Sequence, residues 1–223
     1  MRGLRIVLRG MKDTFEHLLP FTMASLGWWL CVFLIVPAPG ATIALFRLTD
    51  PRVSSELERQ SIRQSVDVIW ANLRRGWGVA ALTVPILLIL VINLATVGSA
   101  ARLAILVPLW AILLLLGVAA TLSAFALAAL FDQPALDAVK HSLLLTGARL
   151  PRALFVVVLL WLIVFLGTVL VVPLFMFLPA AVAAAANRMV LDGLGVEIYD
   201  PLAPTEERLR EEHQKRESSR FGP

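Results

Sequence analysis

Residues 76–131 read GWGVAALTVPILLILVINLATVGSAARLAILVPLWAILLLLGVAATLSAFALAALF, and Arg102 is the only charged residue among them. A bilayer core about 30 Å thick needs roughly 20 consecutive apolar residues in helical form, because a helix rises about 1.5 Å per residue. The stretch is long enough for two such helices, one on each side of Arg102. Because the connection between them is short, they are expected to lie antiparallel as a hairpin.

The chain as a whole has the composition of a membrane protein. Of its 223 residues, 59% are hydrophobic and 16% are charged, and the mean hydropathy is +0.82. A soluble domain has about 45–50% apolar and about 25% charged residues. Residues 153–187 form a further uncharged run, without the alternation that strands of a membrane barrel show. The expected fold class is all-α, a bundle of about five transmembrane helices with amphipathic interfacial helices.

The expected organisation has three parts. Residues 1–19 place apolar and basic side chains at helical spacing, which predicts an amphipathic interfacial helix. Residues 20–195 form the transmembrane bundle, and residues 196–223 form a charged, largely disordered cytoplasmic tail. The expected spans are 21–36, 77–97, 103–125, 153–172 and 174–191, and the expected surface helices are 54–76 and 134–147.

The long apolar run 153–191 exceeds one span and is divided at Pro173, with one long kinked helix as the alternative. A faint internal repeat favours the division. ALF at 44–46 precedes Asp50-Pro51, and ALF at 129–131 precedes Asp132 and Pro134. Each copy is followed by an amphipathic helix and a pair of spans.

The first span is expected to end in the sequence PAPGAT. Proline removes a backbone donor and glycine permits a sharp change of direction. The residues of this predicted structural turn are Pro37, Pro39, Gly40 and Thr42. In the alternative arrangement, residues 21–46 enter the membrane and return to the same side, but ATIALF at 41–46 looks too short to complete the return.

Orientation is predicted from the basic residues, which favour the cytoplasmic side. Five spans with the N-terminus outside place 15 Lys and Arg residues inside and 5 outside, so the C-terminus is expected to be cytoplasmic. The four basic residues before the first span oppose this arrangement. They fit better with the alternative in which 21–46 returns to its starting side.

Two sets of residues within the spans could carry a function. The candidate intramembrane polar contacts are Asn93, Thr121, Ser123 and Asn187. Interhelical hydrogen bonds are the favoured interpretation of these residues, and contact with a substrate is the alternative. The expected helix-packing stripe consists of Gly117, Ala120, Ala124 and Ala128. Such a stripe packs helices within the chain or docks a partner subunit.

No residues in a catalytic, cofactor-binding or metal-binding pattern are found, so an enzyme is not expected. The chain has no P-loop, GxSxG or HExxH motif. His17, His141 and His213 lie in separate segments, and Cys31 is the single cysteine. The basic residues flank apolar runs, which predicts the lipid bilayer as a partner and no nucleic acid. Arg149 with Arg152 could bind lipid headgroups, although ordinary topology signals also account for such a pair.

Three short segments carry a resemblance to a known family: PAPGATIALF at 37–46, WANLRRGW at 70–77 and LFDQPALDAVKHSLLL at 130–145. Over about residues 10–195 the chain resembles the YesL family of small bacterial membrane proteins, whose function is unknown. The resemblance implies a multi-pass protein of the bacterial cytoplasmic membrane, of a kind often found beside carbohydrate-uptake systems. It carries over no residue roles beyond the turn at Pro39, Gly40, Ala41 and Thr42.

The expected function is therefore that of an accessory or partner protein of a solute transport system, possible partners being other membrane subunits or a transporter. Two alternatives stay open. The chain could be a small transporter or channel, which requires a polar path through the bundle. It could also be a structural subunit of a larger membrane complex.

Overall fold

The computed structural model describes residues 2–16, 18–52, 62–99, 105–170 and 172–196, and this part of the chain is helical without a β-strand. The helices are α1 (Arg2–Glu16), α2 (Leu18–Phe33), α3 (Ala38–Leu48), α4 (Ile62–Ala71), α5 (Leu73–Ser99), α6 (Val107–Leu130), α7 (Ala135–Ala148), α8 (Leu150–Leu170) and α9 (Val172–Leu194). The predicted all-α class is confirmed for these residues. The predicted tail beyond residue 196 and the predicted helix start at 54–61 lie outside the described residues.

Several helices are long and apolar enough to cross a membrane, which indicates a membrane protein. Three qualify by length and composition alone: Leu73–Ser99, Val107–Leu130 and Met176–Leu194. A fourth crossing is counted if α7 and α8 are taken together, although the two helices are bent by 102°. The predicted count of five spans is not confirmed, because the apolar part of α2 is shorter than a span and α8 is counted only together with α7.

Helices α5 and α6 form a first antiparallel pair, and helices α8 and α9 form a second. In the first pair, a Cβ atom at Gly117 of α6 would lie 3.0 Å from the side chains of Leu87 and Leu90 on α5. In the second pair, α8 begins beside the end of α9, where Arg149 contacts Asp192. We call the open end of each pair the end at which its first helix begins and its second helix ends. Helix α7 connects the two open ends.

Helices α2 and α3 form a shorter hairpin. Trp28 on α2 donates from Nε1 to Thr42 Oγ1 on α3 over 3.0 Å. Farther from the turn, Phe21 and Leu48 line the same groove, so the two helices run antiparallel. The segment 41–46, which looked too short to return, belongs to a helix of 11 residues that runs back along α2.

The turn of this hairpin precedes the predicted one. Leu34 to Pro37 connect the helices, and Ile35 has a φ of 60°. Pro39 lies in the first turn of α3, where a helix has no partner for the backbone N–H that proline lacks. The predicted turn residues from Pro39 onward are therefore helical, and the prolines begin a helix rather than only ending one.

The core of the bundle is built largely from alanine. Ala124, Ala126 and Ala128 of α6 are completely buried, as are Ala180 and Ala186 of α9. Small side chains allow helix backbones to approach closely, which strengthens dispersion contacts where water provides no driving force. The core therefore lies where α6 and α9 meet the α2–α3 hairpin.

Helix α1 packs on the second pair. A Cβ atom at Gly10 would lie 2.9 Å from the Ala185 backbone of α9, and one at Gly3 would meet the Phe155 ring of α8. Ile6 and Val7 are buried in these contacts. Helices of the same chain therefore cover one part of the apolar face of α1, whereas Leu4 and Leu8 of that face are exposed.

Candidate functional site

Asp132 directly follows the C-cap of α6 and lies between two arginines. Its φ of 54° is the left-handed conformation that ends many helices, and Asp tolerates it better than most residues. The carboxylate Oδ1 accepts a hydrogen bond from Arg75 Nη1 over 2.5 Å and also pairs with Arg47 Nη2. One carboxylate thus connects the end of α3, the start of α5 and the end of α6.

Arg52 makes a second set of charged contacts beside Asp132. Its Nε and Nη2 donate to the two carboxylate oxygens of Asp50, at 3.0 and 2.8 Å. Nη2 also donates to the Leu130 carbonyl over 3.1 Å, and the guanidinium carbon lies 5.2 Å from the centre of the Phe131 ring. Because Asp50 is buried, this bidentate contact compensates the loss of its hydration.

We call these five residues, Arg47, Asp50, Arg52, Arg75 and Asp132, the interhelical cluster. Its charges are three arginines against two aspartates. The hydrogen bond from Arg75 lowers the pKa of Asp132 below its usual value; desolvation opposes this shift, and the charges of Arg47 and Arg75 add to it. The carboxylate is therefore ionised at neutral pH, as its bridging role requires.

A close backbone crossing lies next to the cluster. A Cβ atom at Gly76 of α5 would lie 2.4 Å from the Pro39 carbonyl oxygen, and one at Gly40 would lie 2.6 Å from the Ile69 carbonyl oxygen. Trp77 Nε1 donates to the Val36 carbonyl oxygen over 3.0 Å. Gly40 therefore serves close helix packing, whereas the sequence had suggested a role in a sharp turn.

The three segments that carry the family resemblance meet at this place. The segment 37–46 crosses 70–77 at the two glycines, and the cluster joins both to the start of 130–145. Sequence reasoning did not identify the Arg–Asp pairs. The repeated ALF sequence could have indicated such a pair, because Arg47 follows the first copy, Asp132 follows the second, and these two residues contact each other.

A second group of charges lies at the other open end. Arg149 Nη1 donates to the Asp192 backbone carbonyl over 2.9 Å, and Arg152 Nη1 lies 2.5 Å from Asp192 Oδ2. Beside these arginines is a cavity of about 20 Å³, also lined by Ser123 and Thr146. The hydroxyls of Ser123 and Thr146 are buried and hydrogen-bond to no atom of the described residues.

The candidate polar contacts are not gathered along one path. Asn187 is completely buried and donates from Nδ2 to the Phe46 carbonyl over 2.7 Å and to Thr49 Oγ1 over 3.1 Å. Thr121 donates to the Gly117 carbonyl of its own helix. Asn93 is half-buried farther along α5, and Ser123 faces the small cavity described above.

The predicted packing stripe on α6 faces the interior of the chain. Ala124 and Ala128 are completely buried, Ala120 is 7% exposed, and Gly117 contacts α5. Contacts within the chain therefore occupy this face and leave it no room to dock another subunit.

An apolar groove of about 370 Å³ lies between the α2–α3 hairpin and α4. Its walls include Gly27 and Cys31 from α2, Ala41 and Ala44 from α3, and Ile69 from α4. Thr42, the last residue of the predicted turn, supports one wall by accepting from Trp28 while donating to the Ala38 carbonyl.

One charged residue lies within a predicted span. Arg188 belongs to the expected span 174–191, is 3% exposed, and shares a small surface cavity with Arg9 and Asp192. It interacts with other residues of the chain. Among the described residues, no group of three or more His, Cys, Asp or Glu side chains has a geometry that could hold a metal ion.

Comparison of the chain with protein-family models, with curated proteins and with solved structures found no match.

Proposed function

We propose that this chain is a non-enzymatic accessory protein of a solute transport system in the bacterial cytoplasmic membrane. The observation that supports this proposal is that polar side chains inside the bundle connect different helices to one another. Asn187 holds α9 to the end of α3, and Asp132 holds α6 to α3 and α5. Such groups fix the relative positions of helices, which suits a rigid partner for another membrane protein. A carbohydrate as the solute is suggested by the YesL resemblance alone.

A transporter or channel in its own right is the second candidate. It would need polar groups that succeed one another along one route between the two sides of the membrane. Instead, Asn187 and Thr121 bind backbone carbonyls, and Ser123 faces a cavity of only about 20 Å³. Gly117 on α6 faces Leu87 and Leu90 on α5, which sets the register of the two antiparallel helices. With a rise of about 1.5 Å per residue, Asn93 and Thr121 are then separated by about 12 Å along the helix axes. This arrangement favours the accessory role.

We further propose that the chain crosses the membrane four times, through α5, α6, α8 and α9. Helix α3 stays at the open ends, since its start contacts Gly76 and Arg47 near its end shares Asp132 with Arg75. With four crossings, 18 of the 20 Lys and Arg residues belong to segments on the open-end side, Arg188 lies within α9, and only Arg102 belongs to the other side. This bias is stronger than the 15 to 5 of the five-span arrangement, and it supports a cytoplasmic location of the open-end side.

The accessory role is tested by quantitative co-purification of the tagged full chain from its native membrane, solubilised in digitonin. The control is an unrelated multi-pass protein with the same tag, expressed at the same level. We expect a transporter membrane subunit to be enriched in near-equal amount with this chain. Recovery of the chain as a monomer without an enriched subunit would contradict the proposal.

Reconstitution separates the accessory role from the transporter alternative. The purified chain alone is placed in proteoliposomes, and uptake of radiolabelled mono- and disaccharides is compared with uptake by protein-free vesicles. We expect no difference, because no continuous polar path connects the candidate residues within the part of the chain that the structure describes. Saturable uptake by the chain alone would instead establish the transporter.

A further inference from the structure

The cavity beside Arg149 and Arg152 contains two unsatisfied buried hydroxyls. Ser123 on α6 is 1% exposed and Thr146 on α7 is 7% exposed, and neither hydroxyl has a partner among the described residues. A buried polar group without a hydrogen bond is unfavourable, because it has lost its hydration and gained no partner in exchange. Two such groups facing one cavity therefore indicate that something outside the chain provides their hydrogen bonds.

The charge around the cavity favours an anion. The two arginines share one carboxylate, that of Asp192, which leaves one positive charge in excess. Both arginines use only Nη1 in their contacts with described residues, so each has Nε and Nη2 donors for a further acceptor. The arginine side chains are 40% and 24% exposed, so a ligand can reach them from outside.

The size of the cavity sets the position of the ligand. A volume of about 20 Å³ holds one water, which needs about 10–15 Å³ by the same kind of measure. A tetrahedral oxyanion is larger, so it fits only at the mouth of the cavity, where the partly exposed Arg149 and Arg152 can reach it. One water behind it can then connect the anion to the Ser123 and Thr146 hydroxyls.

We propose that Arg149, Arg152, Ser123 and Thr146 form a binding site for a phosphate group. Arginine binds phosphate oxygens through paired N–H donors, which a point charge such as lysine does not reproduce. The site lies at an open end, where α7 ends and α8 begins, at the level at which phospholipid headgroups are expected. The phosphate can therefore come from an anionic phospholipid or from solution. This proposal does not depend on the accessory role.

Binding is measured on the full chain, purified and delipidated in dodecyl maltoside, by native mass spectrometry and by the shift in thermal unfolding. The probes are dioleoyl-phosphatidylglycerol, dioleoyl-phosphatidylcholine and inorganic phosphate. We expect phosphatidylglycerol to bind at least tenfold more tightly than phosphatidylcholine, with a loss of affinity at high salt. Inorganic phosphate is the alternative ligand. If its affinity changes in the variants described below as we expect for phosphatidylglycerol, the phosphate comes from solution and the site is still supported.

The variants separate a binding site from a merely structural pair. Arg149→Gln is expected to weaken binding about tenfold, and Arg149→Lys to weaken it partly because the paired donors are lost. Asp192→Asn removes a competing carboxylate and is expected to tighten binding, an outcome that a purely structural salt bridge does not produce. Arg74→Gln removes an exposed arginine outside the site and is the matched control.

Ser123→Ala keeps the arginines intact and is expected to weaken binding two- to fivefold while the chain stays folded. It therefore tests the site even if an arginine variant fails to fold. The proposal is overturned if Ser123→Ala and Arg149→Lys both bind like the native chain. It is also overturned if Arg74→Gln loses as much affinity as Arg149→Gln, because binding would then follow net charge alone.

Discussion

Gly76 and Pro39 lie in direct backbone contact, with the position of a Gly76 Cβ atom 2.4 Å from the Pro39 carbonyl oxygen. The next nearest atoms are also backbone, the Pro39 carbonyl carbon and the Gly40 nitrogen, so no flexible side chain can move aside. This contact positions α3 across the start of α5. The interhelical cluster depends on it, because Arg47 and Arg75 reach Asp132 only when the two helices are close.

Replacement of Gly76 by alanine should therefore separate the helices. We expect Gly76→Ala to lower the free energy of unfolding by about 3 kcal/mol, the upper end for overpacking. The matched control is Gly98→Ala on the same helix, where a Cβ atom would meet nothing within 4 Å. That change should stabilise the protein by about 0.5 kcal/mol through helix propensity. Unfolding in mixed dodecyl maltoside and SDS micelles measures both, and equal effects would contradict the contact.

Ile35 holds a left-handed backbone conformation in the turn between α2 and α3. A β-branched residue at a φ of 60° is strained, and its side chain is 69% exposed, so little packing offsets the strain. We expect Ile35→Gly to increase the free energy of unfolding by about 1 kcal/mol and so to raise the thermal unfolding temperature. Leu34→Gly, at an exposed neighbour without a positive φ, should lower it instead. A loss of stability in both variants would refute the strain.

Asn187 connects α9 to the end of α3 inside the bundle. We expect Asn187→Leu to lower the free energy of unfolding by about 1.5 kcal/mol, near the upper limit for interhelical hydrogen bonds in membranes. Thr121→Val is the control, because Thr121 donates to a carbonyl of its own helix and should cost less than about 0.5 kcal/mol. Unfolding in SDS-containing micelles measures both effects. If the two variants are equally stable, Asn187 does not hold the helices together.

Asp132 should make stability depend on acidic pH. Its pKa is lowered in the folded state, chiefly by the hydrogen bond from Arg75, so ionisation favours folding. This contribution is complete above the unfolded pKa of about 3.9 and disappears as the pH falls through the lower folded value. In thermal unfolding between pH 7 and pH 3, the native chain should lose stability below pH 4, and Asp132→Asn should lose less stability over the same range. An unchanged pH profile in this variant would contradict the bridging role.

Membrane topology should show four crossings. In a Cys31→Ser background, we expect an impermeant maleimide to label Ser99→Cys on intact cells, because the proposed four crossings place the end of α5 on the outer side. Arg5→Cys on α1 and Lys140→Cys on α7 should react only after permeabilisation. The five-span arrangement predicts instead that Arg5→Cys is labelled on intact cells, so this position decides between the two.

Much of the helical architecture could be predicted from the sequence. The apolar run that contains Arg102 marks α5 and α6, because a bilayer core demands helices of that length and hydropathy whatever their neighbours. The same reasoning divided the apolar run 153–191 into two helices, and in the structure α8 begins where α9 ends, at Arg149 and Asp192. The α2–α3 hairpin was less predictable, since a proline-glycine segment ends one helix and starts another with the same residues.

The sequence by itself determined that the chain is helical and apolar enough for a membrane, since hydrophobicity and backbone hydrogen bonding act locally along each segment. Only the tertiary structure decided which charges meet. Arg47, Arg75 and Asp132 are separated by many residues, and their pairing depends on a backbone contact between Gly76 and Pro39 that no local pattern encodes. The cavity beside Arg149 and Arg152 likewise exists only because α6, α7, α8 and α9 pack around it, which brings the buried hydroxyls of Ser123 and Thr146 together.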